Sequence, residues 1–235
     1  MKSNLSDVYK FKTELHCHSL PVSLCSKVYA PELAALYKKR GADTIVLTNH
    51  FTPVHAEGIS KDEMVSNHIK AYRDLKKEAE KLGMNAIFGM ELRFIQNIND
   101  YLVFGIDEDD TNTIYDYMQR SIEEFYAEFK NEKNCIIQAH PFRNNMTLVS
   151  PDVLDGIEVF NMHPEANSRI AVAARYAKEN NLLITGGTDF HFPDNVGCCL
   201  TCTGERLETS FDVAKIIKEQ DFVLDMFGTI ISTEL

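Results

Sequence analysis

Positive charge is scarce in this chain. Its 235 residues carry 24 Lys and Arg against 35 Asp and Glu, a formal net charge of −11. No duplex nucleic acid is expected as a partner, because gripping a polyanion requires a basic patch. There is no apolar run long enough to cross a bilayer, so no membrane partner is expected either. Met1–Tyr9 is polar and lacks the apolar core of a secretory signal, which makes the cytoplasm the expected location. The six cysteines, at 17, 25, 135, 198, 199 and 202, show no regular framework and are expected to be reduced thiols. Cys199 and Cys202 have C-x-x-C spacing, but no second pair completes a four-thiolate zinc site, and loop or strand thiols are expected there. No linker, repeat or low-complexity tract divides the chain, so residues 1–235 are read as one domain of open oligomeric state.

A 44% hydrophobic content supplies an ample core. Short apolar runs alternate with amphipathic stretches. Strands are expected at 11–16, 44–48, 85–92, 101–104, 135–139, 156–160, 182–185 and 222–224. Helices are expected at 31–40, 61–82, 111–130, 165–179 and 210–219, with Pro31 opening the first and Gly41 stopping it. Alternation of this kind means parallel β/α units, and seven or so units without a linker suit a (β/α)7 barrel. The rival, an open doubly wound sheet, wants a glycine-rich phosphate turn after the first strand, where this chain has His16-Cys17-His18.

The histidines fall at strand ends. His16 and His18 close the first strand, His50 follows the second, and His140 closes the strand at 135–139. Glu91 lies late in the strand that begins near Asn85, and Asp189 and His191 follow the strand at 182–185. In a β/α barrel those ends converge on one face, so residues far apart in sequence should meet. Five of the eight histidines together with two carboxylates exceed what packing explains, since buried imidazoles and charges need partners. Metal ions are the economical partner, and N and O donors without thiolate suit zinc, manganese or iron. Arg143, three residues after His140, is a candidate bidentate donor to phosphate, and Arg93 is a weaker one. Asn161 is a candidate pocket residue.

The motifs Glu14-Leu-His-Cys-His-Ser19, Leu47-Thr-Asn-His50, Gly89-Met-Glu91, Ala139-His-Pro141 and Gly187-Thr-Asp-Phe-His191 occur in this order. Together they resemble the motifs of the PHP (polymerase and histidinol phosphatase) family of metal-dependent phosphoesterases, over residues 13 to 192. The resemblance implies a distorted seven-stranded β/α barrel carrying two or three divalent ions at its strand ends. It implies that His16, His18, Glu91 and Asp189 hold one ion and that Glu91 bridges to a second, also held by His140. His50 and His191 would hold a third. The implied reaction is hydrolysis of a small-molecule phosphate ester by a metal-activated hydroxide. Glu91 would orient the ion pair, and His191 or His163 would protonate the leaving group near a substrate that Arg143 and His163 help to bind. The alternatives are another metal-dependent hydrolase, acting on an amide or cyclic ester, and a non-catalytic metal-binding module. Three departures from the family pattern stand out. Cys25 is the soft candidate where an Asp or His usually follows the H-x-H pair. Asn99 or Asp100 stands where a further histidine is usual, and Asn49 replaces an Asp.

Overall fold

Runs of β-branched and apolar residues form the strands, and the amphipathic stretches between them form the helices, in a computed structural model that describes residues 5–233. In chain order the elements are α1 (Leu5–Val8), β1 (Phe11–Cys17), α2 (Ala30–Lys39), β2 (Thr44–Leu47), β3 (His50–Phe51) and α3 (Lys61–Lys81). Then come β4 (Asn85–Phe88), β5 (Met90–Arg93), β6 (Asp100–Phe104), α4 (Thr111–Tyr117), α5 (Ile122–Phe129), β7 (Cys135–Gln138) and β8 (Gly156–Asn161). The chain continues through α6 (Ile170–Glu179), β9 (Leu183–Gly187), β10 (Cys199–Thr203), α7 (Ser210–Glu219), β11 (Val223–Met226) and β12 (Thr229–Ser232).

The fold is mixed α/β, and its strands form two six-stranded sheets rather than one closed ladder. One runs β12-β11-β10-β1-β2-β4 and the other β3-β5-β6-β7-β8-β9. The expected single barrel is interrupted where two strands leave the ladder, at Thr48-Asn49 between β2 and β3 and at Gly89 between β4 and β5. Gly89 is required there, because a Cβ would come within 2.8 Å of the Val46 side chain. At the other seam the sheets touch through one bridge, Cys17 to Phe190, with Phe190 N donating to His16 O at 3.1 Å.

The expectation of all-parallel units also fails at β6, which runs antiparallel to both β5 and β7. Only residues 94–99 separate β5 from β6, too few for the helical crossover that a parallel neighbour needs. β10, β11 and β12 add an antiparallel meander on the outer side of β1, so the C-x-x-C cysteines sit in a strand. The helix expected at 111–130 is two helices, since Ser121 caps a new start by accepting from Glu124 N at 3.3 Å. The helix expected from 165 begins only at Ile170, after a left-handed backbone at Arg169.

One apolar cluster joins the strands to α2 and α3 through Leu33, Tyr37, Leu75 and Ala79. A second gathers Leu15, Val46, Ile87, Leu102 and Ile137, one each from β1, β2, β4, β6 and β7, against Val213, Ala214 and Ile217 of α7. Core on both sides of the strands leaves their ends as the place where polar groups collect. Among the described residues, no helix is long and apolar enough to cross a membrane.

Candidate metal centre

The C-terminal ends of β1, β7 and β9 and the short strands β3 and β5 deliver their polar residues to one point. His16 lies in β1 and His18 just beyond it, His50 opens β3, and Glu91 lies in β5. His140 follows β7 by two residues, and Asp189 and His191 follow β9. Because β6 enters in reverse, its first residue, Asp100, arrives at the same face.

Glu91 is central and fully buried. Its Oε1 lies 3.2 Å from His16 Nε2 and 3.1 Å from His140 Nε2, and its Oε2 lies 2.6 Å from His50 Nδ1 and 3.4 Å from His18 Nε2. Asp189 Oδ1 lies 3.4 Å from His16 Nε2, 3.2 Å from His18 Nε2 and 3.4 Å from His191 Nδ1. Four triplets bring one donor atom apiece within 4.8 Å of one another: His18-His50-His191, His16-His18-Glu91, His16-His140-Asp189 and His50-Glu91-Asp100. His16 Nε2, His18 Nε2, His50 Nδ1 and Glu91 Oε2 are buried without a hydrogen-bond partner. Orphaned polar atoms are costly in an interior, and imidazole nitrogens converging on carboxylate oxygens are what a divalent cation satisfies. The donor set therefore fits the metal ions expected from the sequence.

The imidazoles are aimed from behind. His16 Nδ1 lies 2.8 Å from Glu158 Oε1, which turns Nε2 inward. Glu158 Oε2 in turn accepts from His140 N at 3.2 Å and from Asn161 Nδ2 at 2.8 Å. Ser23 donates its hydroxyl proton to Asn49 Oδ1 at 2.9 Å and so accepts from His18 Nδ1 at 3.2 Å, leaving the His18 Nε2 lone pair for a metal. Asn49, which replaces the usual Asp, is thus an uncharged anchor of the loop after β1, and it also accepts from Ser19 N at 2.6 Å. His191 Nδ1 donates to Asp189 O at 2.9 Å, and its Nε2 is 3.0 Å from Cys25 Sγ. Gly187 permits the close approach of β9 to β1, since a Cβ there would come within 2.5 Å of His16 Cβ and 3.0 Å of Glu158 Oε1. His140 and Asp189 occupy left-handed backbone, with φ of 32° and 52°. Such backbone is unfavourable for non-glycine residues and persists only where the surroundings enforce it.

The electrostatics match this geometry. Burial opposes ionisation of Glu91, but the His50 and His16 imidazoles outweigh it and hold the carboxyl well below the usual carboxylate range. Asp189 behaves alike, burial being overcome by His16, His18 and Arg143. Burial also disfavours protonation of His16 and His50, yet facing carboxylates raise both well above an ordinary imidazole: Glu158, Asp189 and Glu91 for His16, and Glu91 for His50. Burial and the neighbouring His50 keep His18 neutral. Without metal, protons on His16 and His50 would balance the two carboxylates, and a cation bound there would displace them.

The other residues singled out from the sequence divide into two groups. Arg143 reaches the centre, pairing with Asp189 Oδ2 and Asn161 Oδ1. His163 packs on His191 at 4.7 Å between ring centroids and is absent from the four triplets. Arg93 is held in a bidentate pair with Asp100, at 2.8 and 2.7 Å, at the base of the 94–99 loop. Asn99 bonds Thr147 instead of facing the histidines. Sequence reasoning gave Glu158 no role, although a lone carboxylate in the apolar Gly156–Phe160 run was a signal that it needed a partner. The part Ser23 plays in orienting His18 leaves no trace in spacing.

Comparison with known proteins bears on this geometry. The PHP domain model matches residues 14–226. A two-domain protein from Bacteroides vulgatus that contains a predicted PHP-like metal-dependent phosphoesterase superposes with a TM-score of 0.65 at 18% identity, over 92% of this chain and 64% of that one. This chain thus spans less than two thirds of that relative. PsfC from Pseudomonas syringae has a TM-score of 0.63 at 18% identity, over 87% of each chain. An amidohydrolase from Chromobacterium violaceum, solved with bound sulfate and no metal, has a TM-score of 0.50 at 14% identity, over 79% of this chain and 89% of that one. Among curated proteins, none matches the sequence. At these identities the structural likenesses speak to the fold, and the motif-bearing span from 14 to 226 speaks to descent: the chain belongs to the PHP domain family.

Proposed function

We propose that this chain is a metal-dependent hydrolase of small-molecule phosphate esters. One observation carries the reading: Glu91 and Asp189 are buried together among five imidazoles, and His16 Nε2, His18 Nε2, His50 Nδ1 and Glu91 Oε2 lack a hydrogen-bond partner. His16, His140, Glu91 and Asp189 would hold one or two divalent ions, and His18, His50 and His191 a further one. Bound there, such ions supply Lewis-acid charge and water activation, the chemistry that phosphate-ester hydrolysis needs. Glu91 spans the two ends of the cluster, with one oxygen toward His16 and His140 and the other toward His18 and His50, and so fixes their spacing.

Arg143 binds the anion. Two partners engage its Nη2, while its Nε is buried without a partner and remains as a donor for a phosphate oxygen. His163 stands on the same flank and joins Arg143 in binding the anion. Its Nδ1 accepts from Glu165 N at 3.1 Å, which places the proton of the neutral ring on Nε2. Burial lowers its pKa, and His191 and Arg143 work in the same direction, so the neutral ring offers its Nε2–H as a hydrogen-bond donor to a phosphate oxygen.

The same donors suit amide hydrolysis, a second reading supported by the fold shared with the Chromobacterium amidohydrolase. Metal analysis of the purified protein, combined with a panel of phosphomonoesters, amides and lactones assayed with added Mn²⁺ or Zn²⁺, tests both readings. Phosphomonoester turnover by metal-loaded protein is the expected result. Protein that takes up neither ion and cleaves no phosphate ester overturns the proposal.

A further inference from the structure

Beside the centre, on the His50 flank, lies a cleft of ≈ 380 Å³ between the loop after β1, the turn after β3 and the start of α3. Its walls are mainly Val22, Leu24, Phe51, Val54, Ile59 and Met64, with His55 and Asn67 among them, and His50 is a shared wall between cleft and metal centre. No Lys or Arg lines it, and Glu57 is its one carboxylate. Leu24 and Val54 form the lips and are 67% and 62% exposed, so apolar area faces water beside the reaction site. The opposite flank differs in charge. There Asn161, His163, Asn167, Ser168 and Arg169 line a cleft of ≈ 400 Å³, and Arg143 binds Asn161. Both clefts mix apolar and polar walls, but Arg169 and the neighbouring Arg143 stand on one flank, whereas Glu57 is the charged wall of the other.

We propose that the His50-side cleft receives the alcohol part of the substrate, and that this part is an uncharged apolar group, aryl or branched alkyl, rather than a sugar or other polyol. The inference rests on the phosphoesterase reading for the position of the phosphate, and on the cleft's own lining for the rest. A polyol placed against Val22, Leu24, Val54 and Met64 would lose most of its water and find partners only at His55, Glu57 and Asn67, whereas an apolar ring would cover the exposed lips. Charge fits as well. With no Lys or Arg in its walls and Arg93 nearby held by Asp100, a second anionic group on the alcohol would meet no free counter-charge in the cleft and would face Glu57.

The test compares benzyl phosphate with 2,3-dihydroxypropyl phosphate on the metal-loaded full chain. Both are esters of primary alcohols, so the bonds broken are similar in reactivity. The expected kcat/KM favours the benzyl ester by at least about tenfold, and Val54→Asp or Leu24→Asp collapses that ratio toward unity. Binding is read separately by NMR of the Met64 methyl with benzylphosphonate, which cannot be hydrolysed. A shifted Met64 signal that Val54→Asp abolishes upholds the cleft even if no phosphate ester is cleaved, in which case only the phosphoesterase reading falls. Hydrolysis of both esters at equal efficiency, with a ratio that Val54→Asp leaves unaltered, overturns the cleft and leaves the phosphoesterase reading standing. Neither turnover nor a Met64 shift overturns both.

Discussion

One end of the histidine cluster is braced by a carboxylate, whereas the other is braced by hydroxyl, amide and thiol groups. At the first end, Glu158 stands behind His16 at 2.8 Å and holds the His140 backbone at 3.2 Å. At the second, Ser23 and Asn49 stand behind His18, and Cys25 stands against His191. A carboxylate behind an imidazole makes it a stronger and more rigid donor, while a hydroxyl fixes its direction without adding charge. The first end is therefore suited to a tightly held hard ion. The second is suited to a more weakly held one, with softer character near Cys25. Burial pushes the Cys25 thiol up, but hydrogen bonds from His191 and His50 outweigh that and bring it down to about 6, within reach of the thiolate at neutral pH.

Removing Asp189 strikes both ends, because Oδ1 faces His16, His18 and His191 together. Asp189→Ala is expected to strip metal from the whole cluster and lower hydrolysis by about 1000-fold. Metal analysis with rate measurement checks this, and retained metal would dissolve the idea of a shared floor.

Next comes His68, a buried histidine with no carboxylate at all. It packs against Phe51 and Phe88, and its Nε2 lies 3.4 Å from Gly89 O. Burial lowers its pKa to about 4, the Gly89 carbonyl opposing only weakly. Below about pH 6.5 the unfolded chain takes up a proton that the fold refuses, so stability falls as pH drops toward 4, by up to roughly 3 kcal/mol. His68→Met should flatten that loss, as read from denaturant midpoints at pH 7.5 and pH 5. An unchanged slope would mean that burial without a carboxylate does not keep a histidine neutral here.

Glu158→Gln tests the braced end alone. It keeps the shape but removes the charge behind His16, and metal affinity should weaken by about 10- to 100-fold. An unaltered titration against a chelator would erase the distinction between the two ends. The smallest effect is expected from Cys25→Ser, which should weaken zinc at the second end a few-fold and leave manganese almost untouched. Equal loss of both metals would show that the thiol acts through packing.

The strand ends of the centre were legible because each motif couples an apolar run to a polar terminus, as in Cys135–Ala139 followed by His140. Two things were not legible. The division into two sheets follows from the breaks at Asn49 and Gly89, which occupy one or two residues and leave periodicity intact. The bond from Glu158 to His16 links residues 142 apart, a contact that neither spacing nor pattern encodes. The reversal of β6 was within reach, since six residues between strands exclude a crossover, but the habit of alternating units hides it.

That reversal gives the molecule a hairpin whose tip can be rewritten. The 94–99 loop leaves β5 and enters β6 on the same face, and the Arg93–Asp100 ion pair clasps its base. Phe94 and Asn99 are buried, but Ile95 and Ile98 at its tip are exposed, so the tip is where residues can be added with least disturbance. Variation in length at this one loop is thus the cheapest route by which relatives of this chain could acquire a different reach over the same histidines.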